Sequence, residues 1–143
     1  MKHAAPLCGL LGLVFFGMGT PVARAQEKDP IDEKVEKWME QDDSTAGHIQ
    51  ALDHGVKLWD EALNEAYTNL LKKLPKPDAE ALKVSQRQWI AYRDANLKAI
   101  QVIFGHAEGT MYRPMAVAQQ LEIIKQRVLS LRGFMEAAES KGD

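Results

Sequence analysis

The chain has 143 residues, 27% of them charged and 45% hydrophobic, with a net charge of −2 and a single cysteine. One domain of that size can bury a working core without staples. The slightly acidic balance argues against nucleic acid or an anionic membrane surface as a partner, and one cysteine excludes an internal disulfide.

Residues 1–25 have the layout of a secretory signal peptide. Lys2 and His3 make a short basic start, and Leu7 to Met18 is an apolar run too short to span a bilayer. Ala23-Arg24-Ala25 then forms a small-x-small cleavage site, which places the cut after Ala25. An uncleaved anchor is the alternative. Lipidation at Cys8 fits poorly, because that residue precedes most of the apolar run. Processing would leave about 118 residues, and the loss of Lys2 and Arg24 would move the net charge to about −4. It would also remove the only thiol. The expected location is the periplasm or the exterior, with no stable membrane insertion after cleavage.

Residues 26–43 read as an acidic leading segment with one short helix. Asp29-Pro30 is a helix start, and Ile31, Val35, Trp38 and Met39 recur at helical spacing, which predicts a helix over about 30–41. Asp42-Asp43-Ser44-Thr45 breaks it, and Asp43 or Ser44 can cap the next helix. The second helix, about 45–74, carries Ile49, Leu52, Val56, Trp59, Leu63, Ala66 and Leu70 in one stripe, with Gly55 allowing close approach of a neighbour. Pro75 and Pro77 end it. Asp78 is the expected cap of a third helix over about 78–104, whose inner face is Leu82, Trp89, Leu97, Ile100 and Phe104, with Ile90 and Ile103 beside them. A loop over 105–113 follows. The fourth helix begins near Tyr112 to Pro114 with the stripe Val117, Leu121, Ile124, Val128, Leu131 and Met135, and Gly133 with the polar tail suggests fraying. The fold class is all-α: an antiparallel bundle of three long helices plus a short N-terminal one, with the bundle over 44–140.

Two phrases place polar residues on or beside the apolar stripes. One runs from Trp59 through Asp60, Leu63 and Asn64 to Tyr67. The other runs from Gln86 through Trp89, Tyr92 and Arg93 to Asp94. Polar groups in such places are costly unless each finds a partner. Counting across the Pro75–Pro77 turn sets Leu63 opposite Trp89, Asp60 near Arg93 and Tyr67 near Gln86. The expectation is a structural polar network of Asp60, Asn64, Tyr67, Gln86, Trp89, Arg93 and Asp94 that fixes helix register. The functional alternative is acid–base work by Asp60, Glu61, Tyr92 and Arg93. No Ser, Cys or His nucleophile lies nearby in sequence, and there is no Gly-rich phosphate loop.

These residues resemble the lysozyme inhibitor LprI-like domain family. The likeness rests on Leu63, Asn64 and Tyr67, then Gln86, Trp89, Arg93 and Asp94, with Gly109-Thr110 and Arg127 fitting as well, and it spans about residues 44–132. It implies a small exported helical domain without enzymatic activity. Members usually carry cysteines that tie the helices together; the matching positions fall near Ala51, Leu97 and Gln119. This chain is therefore a cysteine-less variant, whose packing must replace those bonds.

No metal or cofactor is expected. His48, His54 and His106 form no ligand pair of the H-E-x-x-H kind. Candidate partner-binding residues are His106, Glu108, Tyr112 and Arg113 of the loop, together with Trp38. Glu33, Glu36, Glu40, Asp42 and Asp43 make the leading segment acidic, which would steer a basic partner. The expected partner is a protein: lysozyme, or else a cell-envelope protein with a helical element that this domain helps to assemble.

Overall fold

The computed structural model describes residues 28–140. The signal-peptide reading of 1–25 and Cys8 lie outside the described residues. Four helices follow one another: α1 (Pro30–Gln41), α2 (Thr45–Lys73), α3 (Lys76–Gly105) and α4 (Tyr112–Glu139). The all-α expectation holds.

Helix boundaries follow local chemistry. Asp29 caps α1, its carboxylate accepting from the Ile31 N–H at 3.0 Å, with Pro30 in the first turn. Ser44 caps α2, its Oγ accepting from the Gly47 N–H at 3.0 Å. The start of α3 differs from expectation. Pro75 is the cap and Asp78 falls inside the first turn, because Pro77 sits where no backbone N–H is required. At the other end, α4 runs through Gly133 to Glu139 instead of fraying there.

Packing departs from the expected bundle in one respect. Helix α4 lies against both α2 and α3, and α1 lies against α2, whereas the α2 and α3 backbones do not pack on each other. The core explains why. Trp59, Leu63 and Leu70 of α2 meet Leu121, Ile124, Val128 and Leu131 of α4, with Val35 of α1 and Leu52 closing one side. On α3 only Leu82 and Gln86 are buried, and Trp89, Leu97, Ile100 and Phe104 are half-buried. The largest apolar gain is thus the α2–α4 contact, and α3 is the weakly held member. Helices α1, α2 and α4 converge at Gly55, where a Cβ would sit 2.6 Å from Val35 Cγ2 and 2.7 Å from Leu121 Cδ1. That is the close approach the glycine predicts.

Candidate functional site

Arg127 stands in the buried stripe of α4, among Ile124, Val128 and Leu131. Its Nε donates to Gln86 Oε1 at 3.0 Å and its Nη2 donates to Ser85 Oγ at 3.2 Å. Gln86 and Arg127 are each only 9% exposed, so each depends on the other for its polar partner. The Arg127 guanidinium lies 5.8 Å from the Trp89 ring centre, and that of Arg93 lies 5.4 Å from it. Both are within cation–π range. Burial draws the Arg127 pKa below its ordinary value, with Tyr67 acting the other way; an arginine still stays charged at neutral pH.

This arrangement corrects the expected pairing across α2 and α3. Asp60 and Arg93 line one groove of about 370 Å³ with Val56, Leu97 and Ile124, yet neither is the other's partner. Asn64 Nδ2 donates to the Asp60 carbonyl at 2.9 Å and to its carboxylate at 3.3 Å, within α2. Arg93 donates through Nε and Nη2 to Asp94 Oδ1 at 2.9 and 2.8 Å, within α3. Gln86 takes its hydrogen bond from Arg127, and Tyr67 packs half-buried against the core. The two phrases border a common groove, but the expected direct pairs do not form, because α4 packs against both helices and takes their contacts. Arg127, the hub of the observed set, was absent from the predicted network. A lone charge inside an apolar stripe was the available signal.

A second polar cluster was not anticipated. Asp29, read only as a cap, also pairs with Arg132 of α4, and Asp32 accepts from Lys125 Nζ at 2.6 Å and from Trp59 Nε1 at 3.3 Å. Both cations lie over the fully buried Trp59 ring, at 5.8 Å for Lys125 and 5.6 Å for Arg132. Burial works against the Asp29 charge, but the Ile31 N–H and Arg132 outweigh it and hold the carboxyl below its ordinary value. Asp32 raises the Lys125 pKa by its hydrogen bond, against the effect of burial.

The predicted loop occupies one end of the molecule. Chain direction puts it beside the C-terminal end of α1 and the start of α2. His106 caps α3 and is exposed, as are Glu108 and Arg113. Tyr112 is half-buried, its ring 6.4 Å from that of Phe104. Gly109 holds a φ of 111°, a conformation that favours glycine. Of the eight large apolar side chains exposed among the described residues, four stand around this loop: Val102 and Ile103 at the end of α3, then Met111 and Met115. Trp38 is half-buried on α1, its ring 5.2 Å from that of His54, so part of it is spent on docking α1 to α2. Among the described residues, no group of three or more His, Cys, Asp or Glu is placed to hold a metal ion.

The chain is similar to known proteins in sequence and in structure. A family model described as lysozyme inhibitor LprI matches residues 35–131. An uncharacterised protein of Rhizobium meliloti (strain 1021) is 31% identical over 154 residues, covering 98% of this chain and all of the relative. The crystal structure of an uncharacterised protein from Burkholderia thailandensis superposes with a TM-score of 0.72 at 30% identity, covering 81% of this chain. This chain spans 56% of that protein's length.

Proposed function

Because the chain belongs to the lysozyme inhibitor LprI family, we propose that it is an exported protein that binds a lysozyme and blocks it, with no chemistry of its own. The signal-peptide layout of residues 1–25 supports export, and no described helix is long and apolar enough to cross a membrane. The observation that carries the binding site is the loop end. Val102, Ile103, Met111 and Met115 stay exposed there around His106, Glu108 and Arg113. Apolar side chains gathered at one end and rimmed by polar ones mark a protein contact.

Electrostatics favours the same end. Glu36, Glu40, Asp42 and Asp43 are exposed on and after α1, and such charge draws a basic enzyme during encounter. Inhibition then requires only that the loop cover the substrate cleft. The Gln86–Arg127 clasp and the α1 ion pairs hold the scaffold and touch no partner.

The test is the clearing of a peptidoglycan suspension by a basic lysozyme. The protein should inhibit at micromolar concentration or below. Replacing Met111 by Asp should weaken inhibition by about tenfold or more with helicity unchanged. Full lysozyme activity in the presence of micromolar protein would refute the reading.

A further inference from the structure

Helix α3 packs against α4 alone, and its outward face carries no charge. Ala81, Val84, Gln88, Ala91, Tyr92, Ala95, Ala99 and Val102 are all exposed. At about 100° per residue they occupy a sector of roughly 100°, extending over about six turns. No charge falls in it. Glu80, Lys83, Arg87, Asp94 and Lys98 line one edge, and Arg93 faces α4. The outer face of α2, by contrast, is charged, with Asp53, Lys57, Glu61 and Glu65 along it. A lone edge helix normally covers its solvent side with such residues.

The sector also complements itself. A two-fold axis between Ala91 and Tyr92, with two copies of α3 antiparallel, brings Ala81 against Val102 of the other copy. It likewise brings Val84 against Ala99, Gln88 against Ala95 and Ala91 against Tyr92. Each larger side chain meets an alanine, which lets two helices approach closely. Self-matching of one patch is what an isologous contact requires. At the edge, Arg87 of each copy comes within two residues of the level of Asp94 of the other, about 3 Å along the helix, which a long side chain spans to give two opposite-charge pairs. Lys83, on the same edge as Lys98 of the other copy, is already paired with Glu80 at 2.8 Å.

We infer that the charge-free outer face of α3 is the interface of an antiparallel, two-fold homodimer, the second copy supplying the neighbour that α3 lacks. The pairing sends the two loop ends in opposite directions. It is tested apart from the lysozyme reading, since the two surfaces share only Val102 and are read by different measurements.

Sedimentation of the protein should show a concentration-dependent dimer. In a Cys8→Ser background, Tyr92→Cys lies at the axis and should cross-link to itself under mild oxidation, whereas Val84→Cys should not. Ala95→Glu should give monomers with an unchanged circular dichroism spectrum. A monomer at every concentration reached overturns the inference. So does a dimer that survives Ala95→Glu, or a Val84→Cys chain that cross-links as readily as Tyr92→Cys. Should Ala95→Glu fail to fold, the two cysteine variants decide the matter alone.

Discussion

Arg127 and Gln86 form a pair in which each side chain is enclosed and each satisfies the other. Replacing Arg127 by Met strands the Gln86 carbonyl in the α3–α4 contact. It should cost about 1–3 kcal/mol, read from urea unfolding. Replacing both, Arg127→Met with Gln86→Leu, removes donor and acceptor together and should restore much of that loss. A double variant no more stable than Arg127→Met would show that the bond itself is not the source. Gly55 presents the opposite problem, a site with no space. Gly55→Ala pushes a methyl into Val35 and Leu121, and should destabilise by about 1–3 kcal/mol in thermal unfolding. Gly55 was legible from sequence because a glycine in an apolar stripe has few other uses. The partner of Arg93 was not, since Asp94 lies next to it and Asp60 shares its groove.

Helix α1 is short and touches only α2 along its backbone, so its ionic contacts with α4 matter more than such contacts usually do. The sign of their pH dependence follows from the two shifted groups. Asp29 has a lowered pKa in the fold. Its contribution is present above the ordinary carboxylate value and is lost as pH falls through the lowered one. Lys125 has a raised pKa. Its contribution is present below the ordinary lysine value and is lost as pH rises through the raised one. Helix α1 should therefore be held across the neutral range and loosened at both extremes. Amide exchange along α1 and the emission of Trp59 would follow this. Asp29→Asn should shrink the acid limb and leave the alkaline limb in place; an unchanged acid limb would refute the assignment. Helix positions were readable because caps, prolines and apolar periodicity act locally. The ion pairs were not, because they join residues far apart in sequence, such as Asp32 and Lys125.

At the scale of the molecule, the sequence contained the stripes but not their partners. A short turn at Pro75 made α2 and α3 the natural pair. Burial decided otherwise, since the large apolar faces belong to α2 and α4 and the inner face of α3 is punctuated by Gln86, Trp89 and Arg93. Lysozyme clearing and sedimentation examine two surfaces of this arrangement that share only Val102, the loop end and the outer side of α3. The central place of α4 also governs the order in which the chain can fold. During synthesis α4 emerges after the other three helices, and until it arrives the Trp59–Leu70 face of α2 lacks its main cover and α3 has no packed neighbour. The long-range α2–α4 contact must close before any stable half exists. A chain built this way stays unfolded through most of its emergence, which is compatible with the proposed export.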